Sequence, residues 1–253
     1  MSSLFILCVF AFSAGFVDAV VGGGGLIQLP AMFVLQPQLS LVQTLATNKT
    51  ASFCGTALSA FHYLKAVPLR WRALAPGIIA AALGAVSGAA LVSLFRKEAF
   101  LPFILVVLVA VLAYTLLRRS FGMHETKHLS PLRHTTCLLL TGLIIGIYDG
   151  LIGPGTGSFL VFAFVSVLGY SFVKAAASGK VLNCVTNAAA LTLFIAKGAV
   201  VWSLAVPVAL ANMAGNYAGT KLALRMGSAI IRTFFIVVVS ALILKLGWDY
   251  WAA

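Results

Sequence analysis

The sequence predicts an all-α, polytopic integral membrane protein built from two homologous copies of one helical unit. Hydrophobic residues fill 62% of the 253 positions and charged residues only 9%, with a mean hydropathy of +1.09, so polar side chains are too few to wrap a water-soluble globule. The apolar residues come in continuous runs of about the 20 residues that a helix needs to cross ~30 Å of hydrocarbon, not in the alternation of a membrane barrel. The chain also aligns with itself, without a gap, at an offset of 131 residues.

The first long run, 3–21, lacks a basic segment after Met1-Ser2-Ser3 and continues into Asp18 and a glycine run, so it reads as a retained span and not as a cleaved signal. Gly22, Gly23, Gly24 and Gly25 interrupt it, and the short apolar piece 26–36 that follows is expected as a half-helix. Runs 41–64 and 73–95 flank a basic loop with Lys65, Arg70 and Arg72, and run 99–117 closes a first repeat over 1–117. A polar linker spans 118–131. The second repeat, 132–253, begins with run 132–152, breaks at Gly153, Pro154 and Gly155, resumes as the short piece 157–169, and continues through runs 172–196, 201–224 and 229–248. The expectation is eight long spans plus two short half-helices preceded by glycine.

The residues that coincide at the offset are those with special physical roles. Asp18 matches Asp149, Gly22 matches Gly153, Ser40 matches Ser171, Lys49 matches Lys180, Trp71 matches Trp202 and Pro76 matches Pro207. Internal repeats of this kind mark transporters, whose solute sites lie near the midplane where interrupted helices of the two halves meet. Placing the basic loop and Arg118, Arg119, Lys127 and Arg133 inside also puts Arg225 and Arg232 inside when the repeats are inverted, which favours inversion with both termini outside.

The net charge of +12 resides largely in residues that flank spans, where they set orientation and need no nucleic acid. Cys8, Cys54, Cys137 and Cys184 are isolated in apolar runs with no CxxC pair, so no metal or disulfide is expected.

Two constellations can carry chemistry. In the glycine breaks, backbone N–H and C=O groups are freed, and such backbone survives at membrane depth only where protein or water surrounds it. A half-helix starting near Leu26 or Ser158 would aim its N-terminal N–H groups at the break, which favours an anion. Close helix crossing through small residues is the plainer reading. Asp18 and Asp149 precede the breaks by four residues and are two of only five acids. A carboxylate within a span is costly unless paired, protonated or hydrated, so each is a helix cap, an ion-pair partner of a lysine or a proton-coupling group.

The second constellation is Thr47-Asn48-Lys49, mirrored by Ser178-Gly179-Lys180 with Asn183 beyond it, each inside an apolar run of helical length. Helical spacing puts Gln43, Thr47 and Thr50 on one stripe, and Lys180, Asn183, Cys184 and Asn187 on another. Two such faces form a cradle for a small oxyanion, or hold their lysines in ion pairs with Asp18 and Asp149. No phosphate loop, GxSxG elbow, HExxH helix or zinc spacing is present, so neither an enzyme nor a cofactor is expected.

The run Gly15 to Pro30, then Leu45-Ala46-Thr47-Asn48-Lys49, then Gly146-Ile147-Tyr148-Asp149-Gly150 with Gly153-Pro154-Gly155-Thr156-Gly157, resembles the TauE/SafE family, also called the 4-toluene sulfonate uptake permease family. The resemblance covers essentially the whole chain. It implies a multi-pass permease or exporter of the bacterial inner membrane for sulfite or an organosulfonate, and the internal repeat leads to the expectation of alternating access. It carries a substrate-binding role to Gly22 to Gly25, Thr47, Asn48, Lys49, Gly153, Pro154, Gly155, Ser178 and Lys180, and places Asp18 and Asp149 beside them. The second copy has Gly179 where the first has Asn48, so the site is not strictly twofold. Expected partners are the lipid bilayer and a small anionic solute, with self-association into a homo-oligomer open. A passive anion channel and a membrane-embedded enzyme are the competing classes. Replacing Lys49 or Lys180 by alanine is expected to abolish anion flux while leaving folding intact.

Overall fold

The computed structural model describes residues 2–92, 129–251 and, between them, positions 109, 112, 113, 116 and 125. Eight helices lie among the described residues: α1 Ser2–Val21, α2 Gly25–Leu35, α3 Leu41–Ala66, α4 Trp71–Leu91, α5 Pro131–Leu151, α6 Thr156–Ser166, α7 Phe172–Ala196 and α8 Trp202–Trp251. The class is all-α. The expected span 99–117 and most of the linker 118–131 lie outside the described residues.

Local chemistry explains where the helices begin and end. Ser40 caps α3 in a full capping box with Gln43, and Ser171 caps α7 by accepting from the Lys174 backbone N–H. Val67, extended because Pro68 follows it, ends α3. The half-helices α2 and α6 start at Gly25 and Thr156, within two residues of the positions expected from Leu26 and Ser158. The runs 201–224 and 229–248 are not two spans in the structure: α8 runs through both without a break. Arg225, Gly227 and Ser228 interrupt the apolar pattern between them, but polar side chains remove no backbone hydrogen bond and a lone glycine, costing a helix about 1 kcal/mol, does not end it.

By length and composition, four helical segments among the described residues can cross a membrane: Ser3–Val21, Trp71–Leu91, Pro131–Leu151 and Phe172–Ala196. Helix α3 has the length but is more polar, because it buries Thr44, Thr47, Asn48, Lys49, Thr50, Thr56 and Ser59. The side-chain distribution is that of a protein whose solvent is lipid. Phe5, Ile79, Leu83, Ile144 and Leu210 point outward, while Thr, Ser, Asn, Lys and Asp side chains fill the interior. Trp71 and Trp202, at the first residues of α4 and α8, are exposed where amphipathic rings anchor a span to the headgroup level.

Two seams hold the bundle together. Helix α1 packs along α8, and α4 packs along α5. Small residues bring the backbones into contact: a methyl group on Gly215 or Gly219 would overlap the Phe12 or Phe16 carbonyl, and one on Gly146 or Gly150 would overlap the Ala81 or Ala85 carbonyl. Each seam joins a helix of the first half to one of the second, so the halves are interlocked and not merely abutted.

Candidate functional site

The site is built where the two glycine breaks meet. Helix α1 ends as the Gly22 N–H donates to the Asp18 carbonyl, and the chain turns through Gly22 and Gly23 at φ +79° and +93°. Helix α5 ends as the Ile152 and Gly153 N–H groups donate to the Tyr148 carbonyl, and Gly153 and Gly155 lie at φ +88° and +84°. These left-handed conformations are open to glycine and strained for other residues. The breaks then touch each other. Gly22 lies so close to Gly157 and Ser158 that a Cβ there would overlap their backbone, and the Ser158 hydroxyl donates to the Val21 carbonyl at 3.2 Å. The Tyr148 hydroxyl donates to the Pro154 carbonyl and clamps the second break.

Against the breaks stand the two lysine-bearing helices, and their charges are paired crosswise. Lys49 of α3 lies 2.7 Å from Asp149 Oδ2, and Lys180 of α7 lies 2.6 Å from Asp18 Oδ2. Each ion pair therefore joins the first half to the second. Asp149 Oδ1 accepts from Thr156 Oγ1 at 2.7 Å, and Lys49 also donates to Asn187 Oδ1 at 3.0 Å, which in turn sits on the Asn183 side chain at 3.1 Å. Of the two readings open for these residues, oxyanion cradle or ion pairs, the resting geometry is the ion pairs.

A small polar pocket lies between them, lined by Asp18, Gly23, Gly25, Asn48, Lys49, Ser52, Asp149, Gly153, Gly155, Thr156, Gly157, Asn183 and Asn187. Its cavity volume of about 20 Å³ holds roughly one water molecule, so in this conformation the ion pairs themselves occupy most of the space. The Asn48 Oδ1 and Ser178 Oγ atoms are buried with no hydrogen-bond partner among the described residues. Such atoms in a native interior are unfavourable unless a ligand or water meets them.

The expected site residues divide by position. Gly23, Gly25, Asn48, Lys49, Gly153, Gly155, Asn183 and both aspartates line the pocket. Gly22 and Pro154 serve the contact between the breaks, since Gly22 abuts Gly157 and the Pro154 Cα would sit 3.3 Å from a Cβ on Gly25. Gly24 packs back onto α1 at Ala14 and Asp18. Thr47 accepts from the Val201 N–H at 3.3 Å and fastens the start of α8 to α3. Ser178 and Lys180 stand behind the lining, with Lys180 reaching Asp18. Ser52, Thr156 and Gly157 join the lining without having been expected as site residues, and Asn187 joins it from the polar stripe of the second lysine-bearing helix. Spacing carried a signal for two of them, Ser52 three residues after Lys49 and Asn187 four after Asn183.

A second buried polar group was not anticipated. Asn212 Nδ2 donates to Gln28 Oε1 at 2.8 Å, Asn216 Nδ2 to Asn212 Oδ1 at 2.8 Å, Ser59 Oγ to Asn216 Oδ1 at 2.7 Å and Thr220 Oγ1 to Ser59 Oγ at 2.9 Å. It runs from α2 to α3 along α8. At the positions 131 residues away stand Phe159, Ala81, Ala85, Ala190 and Ala89, which make no such chain. Replacing Asn212 by alanine is expected to destabilise the protein by about 1–3 kcal/mol for each partner left unpaired, which denaturant unfolding in detergent would measure.

Comparison with known proteins agrees with this architecture. Residues 7–246 match the family described as Sulfite exporter TauE/SafE. The chain is 34% identical over 247 residues to the "Probable membrane transporter protein ORF9" of Sinorhizobium sp, covering 96% of this chain and 92% of that one. It is 32% identical over 247 residues to the "Probable membrane transporter protein YfcA" of Escherichia coli K12, covering 96% and 89%. A "Probable membrane transporter protein" of Haemophilus influenzae is 32% identical over 251 residues, covering 97% and 95%. No solved structure matches the chain. A family match over nearly the whole length, on an all-helical bundle with lipid-facing apolar residues and a polar interior, identifies the chain as a multi-pass membrane transporter, not an enzyme, that belongs to the TauE/SafE sulfite exporter family.

Proposed function

We propose that this protein carries sulfite or an organosulfonate across the bacterial inner membrane by alternating access, with the glycine breaks and the lysine-bearing helices forming the substrate site. The crossed pairs Lys49–Asp149 and Lys180–Asp18 carry the reading, because a lysine held inside the bilayer by a carboxylate is a cation that an incoming anion can claim. In the first turns of α2 and α6 the N–H groups of Leu26, Ile27, Gln28, Thr156 and Phe159 donate to carbonyls of the breaks, and those of Gly25 and Gly157 are left beside the pocket for an anion. The two halves, 1–117 and 132–253, act as inverted repeats whose relative motion exposes the site to either side. Their interlocked seams and crossed ion pairs couple any movement of one half to the other. A pocket with room for about one water supports a carrier over an open anion pore.

The test is binding followed by counterflow. Sulfite, methanesulfonate and sulfoacetate are expected to raise the unfolding temperature of the purified protein, by about 2.7 kcal/mol of stabilisation at a hundredfold excess over Kd, while acetate does not. Proteoliposomes preloaded with the same sulfonate should then take up labelled solute transiently above equilibrium, which a pore does not do. Stabilisation by no sulfur oxyanion, or uptake without counterflow, would refute the proposal.

A further inference from the structure

The two ion pairs at the pocket are not equivalent. Asp149 has two polar partners, the Thr156 hydroxyl on Oδ1 and the Lys49 ammonium, which faces Oδ2 at 2.7 Å as an ion pair without a hydrogen bond, and its side chain is 2% exposed. Asp18 has a single hydrogen-bond donor, Lys180 on Oδ2, and its side chain is 13% exposed toward the pocket it lines. The position matching Thr156 in its own half is Gly25, which has no hydroxyl to give, and the neighbour of Asp18 Oδ1 across the break is Gly157. A carboxylate with fewer polar partners and more room around it loses less on taking a proton.

Charge and volume give that difference a use. Two lysines and two aspartates sum to zero, so a monoanion added to the closed pocket would leave one uncompensated negative charge away from water. Roughly one water's worth of space also means that the anion must displace a carboxylate and cannot sit beside four fixed groups. Neutralising and turning aside Asp18 answers both demands. Resting on the anion-carrier reading above, we propose that Asp18 takes up a proton as the anion binds, so that each anion crosses with one proton while Asp149 stays charged. The proton comes from water on the entry side and adds to the Asp18 carboxylate. The Lys180 ammonium, released from its ion pair, turns to the anion. On the far side the anion leaves, the proton returns to water and the Lys180–Asp18 pair reforms.

Other groups facing Asp18 leave it the proton acceptor. Helix α7 offers Lys180, already a cation. Helix α3 offers Lys49, committed to Asp149, and Tyr63, whose hydroxyl donates to the Ala19 carbonyl at 3.0 Å. Helix α5 offers Asp149, doubly engaged, while α2, α6 and α8 contribute no titratable group to the pocket lining.

Methanesulfonate tests this, because it stays ionised and brings no proton of its own. Adding it to the wild-type protein in weakly buffered detergent containing a pH indicator should draw one proton from solution per anion bound. In proteoliposomes an inward pH gradient, acid outside, should drive about tenfold accumulation for each pH unit, and an imposed potassium diffusion potential should not. Asp18→Asn, which imitates the protonated acid, should bind methanesulfonate without proton uptake, show a flat pH profile of affinity and turn the remaining flux into one driven by potential. Asp149→Asn should keep the proton uptake for whatever anion it still binds. Accumulation that follows the potential and ignores the pH gradient in the wild type removes the proton but leaves the carrier. Loss of proton uptake in Asp149→Asn but not in Asp18→Asn overturns the assignment. Absence of methanesulfonate and sulfite counterflow removes carrier and proton together, and the wild-type indicator measurement decides the question should Asp18→Asn fail to fold.

Discussion

Replacing Lys49 by methionine is expected to abolish sulfonate counterflow and to lower stability by about 3–5 kcal/mol, because Asp149 is left as a buried carboxylate without its cation. From sequence alone, a lysine substitution is expected to stop flux with folding intact, and the buried ion pair replaces the second half of that expectation. The crossed ion pairs add the loss of stability. The double variant Lys49→Met/Asp149→Asn removes both charges and should recover most of the unfolding temperature without recovering transport. That separation distinguishes a lysine that holds the halves together from one that also meets the solute. Lys180→Met should cost less, since its partner Asp18 is 13% exposed and better able to find water. Thermal unfolding in detergent and counterflow in proteoliposomes read the two effects independently.

Substituting Gly22 by alanine is expected to be at least as damaging. Its φ of +79° costs an alanine about 1–2 kcal/mol, and the added methyl overlaps the backbone of Gly157 and Ser158, neither of which is a side chain that could swing away. The breaks must then separate, carrying α2 and α6 apart and opening the pocket floor. Little folded protein should be recovered after detergent extraction, as judged by monodispersity on size exclusion. Gly247→Ala in α8, where nothing lies within 4 Å of the new methyl, serves as the control and should be neutral or stabilising by up to about 1 kcal/mol.

Much of this site was readable in the chain because it rests on residues whose physics is local. Four successive glycines and a Gly-Pro-Gly sequence cannot continue a helix, so the breaks and the starts of α2 and α6 could be placed to within two residues. Lysines midway along runs of helical length had to face inward, and Lys49 and Lys180 do. Which aspartate each would meet was not readable, because partner choice depends on how α3 and α7 cross the breaks of the opposite half. Thr47 illustrates the same limit. Its position two residues before Lys49 suggested a ligand, yet two residues are about 200° around a helix, and its hydroxyl meets the α8 start at Val201. The Asn212, Asn216 and Thr220 stripe was detectable in principle, since polar residues recurring every four positions in an apolar helix must share one face. The α8 boundary failed for the opposite reason: a dip in hydropathy near 225–228 marks polarity, not a turn, and nothing there stops the helical hydrogen bonding.

The polar chain from Gln28 to Thr220 has a meaning beyond stability when set against its alanine counterpart, where α4 meets α7. Pulling apart the alanine-lined joint forfeits dispersion contacts and wets a greasy crevice that offers water nothing to bind. Pulling apart the amide-lined joint exchanges internal hydrogen bonds for hydration, a nearly even trade. In the carrier proposed above, the amide-lined joint should flood and drain readily, whereas the alanine-lined one should yield only under load.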